Sequence, residues 1–225
     1  MIRLAIVGYG KMGKEIETCL DKNKFILVGK YDIDNPVQDN LNDKPDVAIE
    51  FSTPDAALKN VEFLSSQKVN VVCGTTGWYD RLNSFKKIIE MYDNGFVYAS
   101  NFSIGMNIFF DLMRNAGKAF SKFGQYDFAV EEIHHKHKLD KPSGTALRIM
   151  ELLNGKKDKI SSVREGNKFG DHKVVFDSDA DTITLEHSAK SRKGFAEGAL
   201  MAAEFIHGRK GFFRFEDVIS EQLHK

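Results

Sequence analysis

The first twenty residues, MIRLAIVGYGKMGKEIETCL, constrain the fold more than any other stretch of the chain. An apolar run ends on Gly8, and Gly8, Gly10 and Gly13 fit the spacing G-x-G-x-x-G. Ile16 and Leu20 then recur at helical spacing. Each glycine has a mechanical reason. Gly8 permits a tight turn, Gly10 lets the backbone approach a pyrophosphate, and Gly13 lets the helix pack close to the strand. The helix N-terminus would receive the phosphates, because unpaired N–H groups and the helix dipole favour negative charge there. Alone the triplet is a weak signal. Here a second strand, FILVGKYD, follows and ends in Asp32, 19 residues beyond Gly13, where an acid can accept hydrogen bonds from an adenosine ribose. A Rossmann-like half without a cofactor stays open beside the dinucleotide-binding reading.

Three further strand candidates, DVAIEFST, NVVCGTTG and FVYASNFS, are separated by helical stretches near Pro54 to Ser66 and Tyr79 to Met91. Alternation of this kind predicts a doubly wound α/β fold with a parallel sheet and helices on both faces. Ligands of such sheets bind beyond the carboxyl ends of the strands. The expected cofactor-lining residues are therefore Gly8, Gly10, Lys11, Met12 and Gly13 in the first turn, with Asp32 after the second strand. The later strand tips add Phe51 and Ser52, then Gly74, Thr75 and Thr76, then Ala99, Ser100, Asn101 and Phe102. Thr53 serves equally well as a simple helix N-cap.

After Phe102 the pattern changes. Ile108, Phe109, Leu112, Met113, Ala116 and Phe120 form a helical apolar stripe that reads as core. YDFAVEEIHH reads as a strand, and HKVVFDSD with DTITLEHSA as an antiparallel hairpin. Strands without intervening helices indicate an inserted mixed-sheet α+β domain of three strands. A last helix from about Phe195 to His207, with Phe195, Ala199, Ala203 and Ile206 on one face, would return the chain to the first domain. The expected boundaries are residues 1–102 with 193–225 for the dinucleotide domain, and 103–192 for a substrate-binding domain that also forms subunit contacts.

With 32 basic and 32 acidic residues the chain has no net charge, so it is not built to attract a polyanion. Its apolar runs are too short to cross a bilayer, and the N-terminus lacks the features of a signal peptide. Cys19 and Cys73 are too few for a disulfide framework and fit a reducing cytoplasm. The segment EEIHHKHKLDKPSGTA is nevertheless locally basic, with three histidines and three lysines between His134 and Lys141. Zinc fits poorly, since no cysteine is near and Lys136 and Lys138 repel a dication. Nucleic acid would want a wider basic surface with aromatic residues. His137, Lys136 and Lys141 individually read as a solvated turn. The remaining reading is a proton donor and a fixed cation beside a bound carboxylate, with Pro142-Ser143-Gly144-Thr145 opening a helix whose free N–H groups receive the anion. A dinucleotide site with a carboxylate pocket carrying an acid implies a reductase of a small carboxylated substrate.

Together VGYGKMG, FSTP, CGTTG, ASNFSIGMN, EEIHHKHKLDKPSGTA and HSAKSRKGFAEGAL resemble the 4-hydroxy-tetrahydrodipicolinate reductase (dihydrodipicolinate reductase) family of the diaminopimelate route to lysine. The likeness runs from the first strand to the last helix, and the histidine–lysine–SGT block is its most specific part. The resemblance implies a homotetramer that reduces a cyclic dicarboxylate with NADH or NADPH, and no nucleic-acid or membrane partner. It implies His134 as proton donor and Lys138 as catalytic lysine. It further implies substrate contacts from His135, Ser143, Gly144, Thr145 and Arg192. The chain departs from the pattern in being short after Asn154 and in following Asp32 with Ile33, where some relatives place an arginine suited to a 2′-phosphate. NADH equal to or better than NADPH is therefore expected. Two other classes stay open: another Rossmann oxidoreductase, such as an aspartate or sugar-acid dehydrogenase, and a non-catalytic dinucleotide sensor.

Overall fold

The computed structural model describes residues 1–223. In chain order the elements begin with β1 (Ile2–Val7), α1 (Lys11–Thr18), β2 (Phe25–Tyr31), α2 (Val37–Asn40), β3 (Val47–Glu50) and α3 (Pro54–Ser66). Then come β4 (Asn70–Cys73), α4 (Leu82–Tyr92), β5 (Gly95–Tyr98), α5 (Ile104–Phe120), β6 (Asp127–His134) and α6 (Gly144–Leu152). The chain finishes with β7 (Ile160–Arg164), β8 (Asp171–Asp177), β9 (Thr182–Ser188), α7 (Lys193–Ile206), β10 (Gly211–Arg214) and α8 (Phe215–Leu223). Two compact units result: residues 1–104 with 193–225, and residues 105–192.

The first unit is a six-stranded parallel sheet in the order β2-β1-β3-β4-β5-β10. The strands read as continuous apolar runs because both sheet faces are covered. On β1, Leu4 and Ile6 face a layer of α7 and α8 that includes Ala199, Ala203, Ile206 and Val218. Ala5 and Val7 face the opposite layer, where α3 and α4 bring Val61, Leu64, Phe85 and Ile89. Strand order reverses at β1, which lies between β2 and β3, so the carboxyl ends of β1 and β3 border the crevice such sheets use for ligands. The sixth strand, β10, and helix α8 extend this unit beyond the five-stranded reading of the sequence. The buried face of α7 is also broader than expected, and Phe195 is only half-buried.

The second unit has four strands, β7-β6-β8-β9, one more than expected. β8 and β9 form the anticipated antiparallel hairpin, β6 pairs antiparallel with β8, and β7 adds a parallel edge. Helices α5 and α6 cover one face through Met106, Phe109, Phe110, Met113, Ile149 and Met150. Against them the sheet sets Val130, Val174 and Phe176. Ile108 and Leu112 lie off this buried face of α5 and are exposed, because the stripe that packs is Met106–Phe109–Phe110–Met113. Phe176 is the largest buried sheet residue here, stacked on Phe120 with ring centroids 4.1 Å apart. Phe176→Ala should destabilise this unit by about 3–5 kcal/mol, the usual cost of emptying a buried phenylalanine site. Denaturant unfolding followed by circular dichroism measures it, and a change below about 1 kcal/mol would contradict the packing described.

Candidate active site

In the first unit, the glycine turn has the geometry that its spacing predicts. Gly8 has φ +89°, and a side chain there would run into the Phe51 carbonyl, so the tips of β1 and β3 touch through bare backbone. A Cβ on Gly13 would lie 2.7 Å from the Gly8 carbonyl oxygen, which explains the close seat of α1 on its strand. By contrast, a Cβ on Gly10 would meet nothing within 4 Å. That open space beside the start of α1 fits a pyrophosphate. Lys11 is exposed at the helix start, and Met12 is half-buried against the core.

Asp32 stands exposed at the end of β2, and its Oδ1 accepts from the backbone N–H groups of Asp34 and Asn35 at 3.0 and 3.1 Å. The turn thus fixes the carboxylate at the tip of the strand. Lys30, one residue before the end of that strand, is engaged elsewhere: its Nζ lies 3.2 Å from Glu17 and 4.7 Å over the Tyr9 ring. At the tip of β3 the fully buried Glu50 organises the loop. It accepts from the Ser52 hydroxyl, from the Ser52 N–H at 3.2 Å and from Asn60 at 3.3 Å, while Cys73 Sγ donates to it at 3.3 Å. The Ser52 hydroxyl therefore fastens its own loop. Thr53 occupies the N-cap of α3 without a side-chain capping bond.

The remaining strand tips follow the same edge. Gly74 lies against the Phe51 ring, Thr75 is buried with its hydroxyl unpartnered, and Thr76 is exposed. Ala99 is half-buried and Ser100 exposed, while Asn101 accepts from the Ser103 N–H at 2.9 Å. Phe102 is buried between Phe51 and Phe215. The open space at Gly10, the carboxylate at Asp32 and the unpartnered hydroxyl at Thr75 make this unit fit a dinucleotide.

In the second unit, alternation along β6 turns Val130, Glu132 and His134 inward. Glu132 is fully buried. Its Oε1 accepts from the Ser143 N–H at 2.9 Å and from Arg164 Nη2 at 2.9 Å. Its Oε2 faces His134 Nδ1 at 3.3 Å and His172 Nε2 at 3.8 Å. Burial pushes the Glu132 carboxyl up, but hydrogen bonds from His134, Ser143 and Arg164 overcome this and hold it well below the usual carboxylate range. Burial, reinforced by His134, drives His172 down to about 3, so this imidazole is neutral at physiological pH. Donor atoms of Glu132, His134 and His172 lie within 4.8 Å of one another, close enough to share a metal ion. A dication there would have to share its carboxylate with the Arg164 guanidinium, so the cluster reads as a charge-balanced hydrogen-bonded array.

The loop after β6 carries the cations. Lys138 Nζ lies 2.8 Å from Asp140; burial pushes this carboxyl up, but Lys138, with a smaller contribution from the nearby Gly144 backbone N–H, holds it below the usual carboxylate range. Ser143 caps α6 by accepting from the Ala146 N–H at 3.1 Å. Because the Ser143 N–H is held by Glu132, the N–H groups left for an anion are those of Gly144 and Thr145. His135 is half-buried, and burial, then His137, His134, Lys138 and Arg192 in that order, hold its imidazole below the ordinary value. Four positive or ionisable groups thus converge on it. Arg192 sits 5.4 Å over the Phe169 ring, and Lys136, His137 and Lys141 are exposed. Glu132, Arg164 and His172 were not singled out from the sequence. The signal was present in Val130–Glu132–His134 and His172–Val174–Phe176, where polar residues occupy inward positions of strands.

Comparison with known proteins places both halves of the chain in one family. Residues 2–102 match the family model described as dihydrodipicolinate reductase, N-terminus, and residues 105–219 match its C-terminus. A 4-hydroxy-tetrahydrodipicolinate reductase of Christiangramia forsetii is 39% identical, covering 98% of this chain and 98% of its own. One from Thermosipho africanus is 38% identical over 98% of this chain and 99% of its own. Among solved structures, a dipicolinate-bound dihydrodipicolinate reductase from Paenisporosarcina sp. TG-14 superposes with a TM-score of 0.76 at 25% identity, covering 96% of this chain and 99% of that one. With both halves of one family matched in order and relatives aligned nearly end to end, the chain belongs to the dihydrodipicolinate reductase family.

Proposed function

We propose that this protein reduces 4-hydroxy-tetrahydrodipicolinate, by way of dihydrodipicolinate, to tetrahydrodipicolinate in diaminopimelate and lysine biosynthesis. The observation that carries this reading is the Asp140 corner. Lys138 Nζ and the Gly144 N–H already converge on a carboxylate, at the start of a helix and next to a histidine-rich strand end. A substrate carboxylate would take the place of Asp140 there, held by Lys138, Gly144 and Thr145, with Arg192 contributing positive potential and His135 a ring N–H donor. The reaction removes water from the 4-hydroxy substrate and adds a hydride and a proton to the conjugated product of that loss. When bound, the reduced dinucleotide supplies the hydride. The ring then carries excess negative charge, which Lys138 stabilises as a fixed cation and His134 neutralises by giving up a proton. Gly8, Gly10, Lys11, Met12 and Gly13 would hold the pyrophosphate, with Asp32 on the ribose and the tips of β3, β4 and β5 lining the rest.

His134→Ala should lower kcat by roughly 10²- to 10⁴-fold, the range for losing a general acid, with dinucleotide affinity nearly unchanged. Lys138→Ala should also reduce turnover, and Lys138→Arg should restore it incompletely, because a planar fork replaces a compact ammonium. Lys136→Ala and Lys141→Ala should be mild. Absorbance at 340 nm with enzymatically generated substrate measures all four. Near-wild-type turnover of the His134 variant would remove it as the acid and leave His135 as the next choice.

We further infer use of both cofactors with NADH equal or better. Asp32 would accept from the free ribose hydroxyls of NADH and repel a 2′-phosphate. Lys11 would recover part of that loss, whereas Lys30 is held by Glu17 and Tyr9. Asp32→Ala should shift preference toward NADPH, and Lys11→Ala should harm NADPH use selectively, as kcat/KM for each cofactor at fixed ionic strength. A wild-type preference for NADPH beyond ~100-fold, about 2.7 kcal/mol, would contradict this placement of Asp32.

The proposed setting is the cytoplasm, and no helix among the described residues is long and apolar enough to cross a membrane. A homotetramer built on the second unit is the proposed assembly. The face of its sheet away from α5 and α6 carries Ala129, Ile133, Val163 and Val175 in register, with Val163 exposed. An uncovered face of this kind normally finds a partner, and the family resemblance makes that partner other copies of the same chain. Light scattering after size exclusion should give four times the chain mass. A monomer at micromolar concentration would contradict it.

A further inference from the structure

We propose that Glu132 is a positioning residue for proton transfer: its buried carboxylate holds His134 through Nδ1, so that Nε2 is the nitrogen offered to the substrate. The proposal rests on the reading of His134 as the acid. His134 Nδ1 and Glu132 Oε2 are buried and face each other at 3.3 Å as an ion-pair contact, and neither atom makes a well-aligned hydrogen bond to any group. Gly170 packs close to the opposite side of the ring, where a Cβ would lie 2.9 Å from His134 Nε2, so only a residue without a side chain leaves room for the imidazole there. After His134 gives up a proton from Nε2, the remaining proton must sit on Nδ1. An acceptor fixed at Nδ1 favours that tautomer and also the imidazolium that precedes it.

The groups facing the ring define what the carboxylate does. Glu132 lies two residues earlier on the same strand, Arg164 is the register partner of His134 on β7, and His172 stands on β8 with ring centroids 5.1 Å away. From the following loop, Lys138 adds positive charge, while burial and its cationic neighbours hold His135 toward its neutral form. His172 is neutral near pH 7, and Glu132 is the one anion among these groups, set against the Arg164 guanidinium. Glu132 also has a second grip, because its Oε1 holds the Ser143 N–H at the cap of α6. One carboxylate therefore sets both the acid and the start of the anion-binding helix.

The geometry also predicts the behaviour of an amide at this position. In Glu132→Gln, the two donors Ser143 N–H and Arg164 would retain the amide oxygen at the Oε1 position. The amide NH₂ would then face His134 Nδ1 and donate to it, forcing the neutral ring to carry its proton on Nε2, the reverse tautomer. Proton release from Nε2 would leave a donor facing a donor.

The test compares wild type, E132Q, E132D and H134A as full-length protein, by kcat and KM across pH 6–9 and by ¹⁵N shifts of the His134 ring. E132Q should lose at least ~10-fold in kcat at pH 8 with KM changed less than ~3-fold. Its alkaline limb of kcat should move to lower pH, since the anion beside the acid is lost. The ring nitrogen shifts should report the reversed tautomer, and E132D should recover part of the loss. If H134A is inactive while E132Q keeps wild-type kcat and an unmoved limb, the positioning role is overturned and the acid assignment stands. If H134A turns over normally, the acid assignment itself falls and this proposal with it. Should E132Q fail to fold, E132D decides: a limb shifted the same way by less supports the role. Reduced melting temperature with an unmoved limb would mark Glu132 as merely structural and overturn it.

Discussion

An ionised carboxylate with no access to water must be met by protein groups, and Glu132 is met by four elements at once. Arg164 comes from β7, His172 from β8, Ser143 from the cap of α6, and His134 from its own strand. Removing a charge from water costs several kcal/mol, offset only when its lone pairs are well satisfied. The partners therefore specify one arrangement of strand, neighbouring strands and helix start. The same arrangement fixes which N–H groups of the SGT turn remain for a ligand and which nitrogen of His134 looks away from the core. Stability in the second unit and the proposed proton transfer there would then depend on the same side chain.

The first unit achieves its site by the opposite means, through groups that are absent. Gly8 allows two strand tips to meet backbone to backbone, Gly13 lets α1 sit down on β1, and Gly10 leaves room at the helix start. Its buried carboxylate, Glu50, fastens the loop after β3 through Ser52 and Asn60 and accepts from Cys73 on β4. Neither unit relies on net charge, consistent with a chain whose formal charges cancel. In the proposed sites, anions would be met by helix starts and single cations rather than by overall charge.

These differences explain what could be read from the sequence. The glycine roles were legible because they depend on spacing within one turn, and β1 to β5 because a parallel sheet buried on both faces produces unbroken apolar runs. β7, ISSVR, is half polar and sits at an edge, while β10 has four residues and pairs only with β5, so neither carries a strong periodic signal. On α5, the apolar positions outnumber those that pack, and Ile108 and Leu112 were assigned to a face they do not share. The Glu132 cluster was hidden for a different reason. Arg164 lies 32 residues from Glu132 in sequence, and His172 is brought opposite it only by the β6–β8 register. Spacing cannot report such neighbours, although a glutamate at an inward strand position is itself an indication that partners exist.

The basic loop shows why a count of positive residues is a poor guide to a binding site. Of its lysines, Lys136 and Lys141 are exposed and weakly placed, and Lys138 is already paired with Asp140. That pairing makes the proposed binding event an exchange of one carboxylate for another. Lys138 and the Gly144 N–H would keep an anionic partner throughout, and Asp140, more than half exposed in its side chain, would return to water where its charge is readily solvated. The net electrostatic gain of such an exchange is small, because like replaces like. Selectivity must then come from what surrounds the corner: the fixed orientation of His134 and the positive set around His135. A ligand that fills only the carboxylate corner gains little over Asp140. One that also presents a ring to His134 gains the contacts that Asp140 cannot make, which is how a small dicarboxylate would be favoured over a simple carboxylic acid.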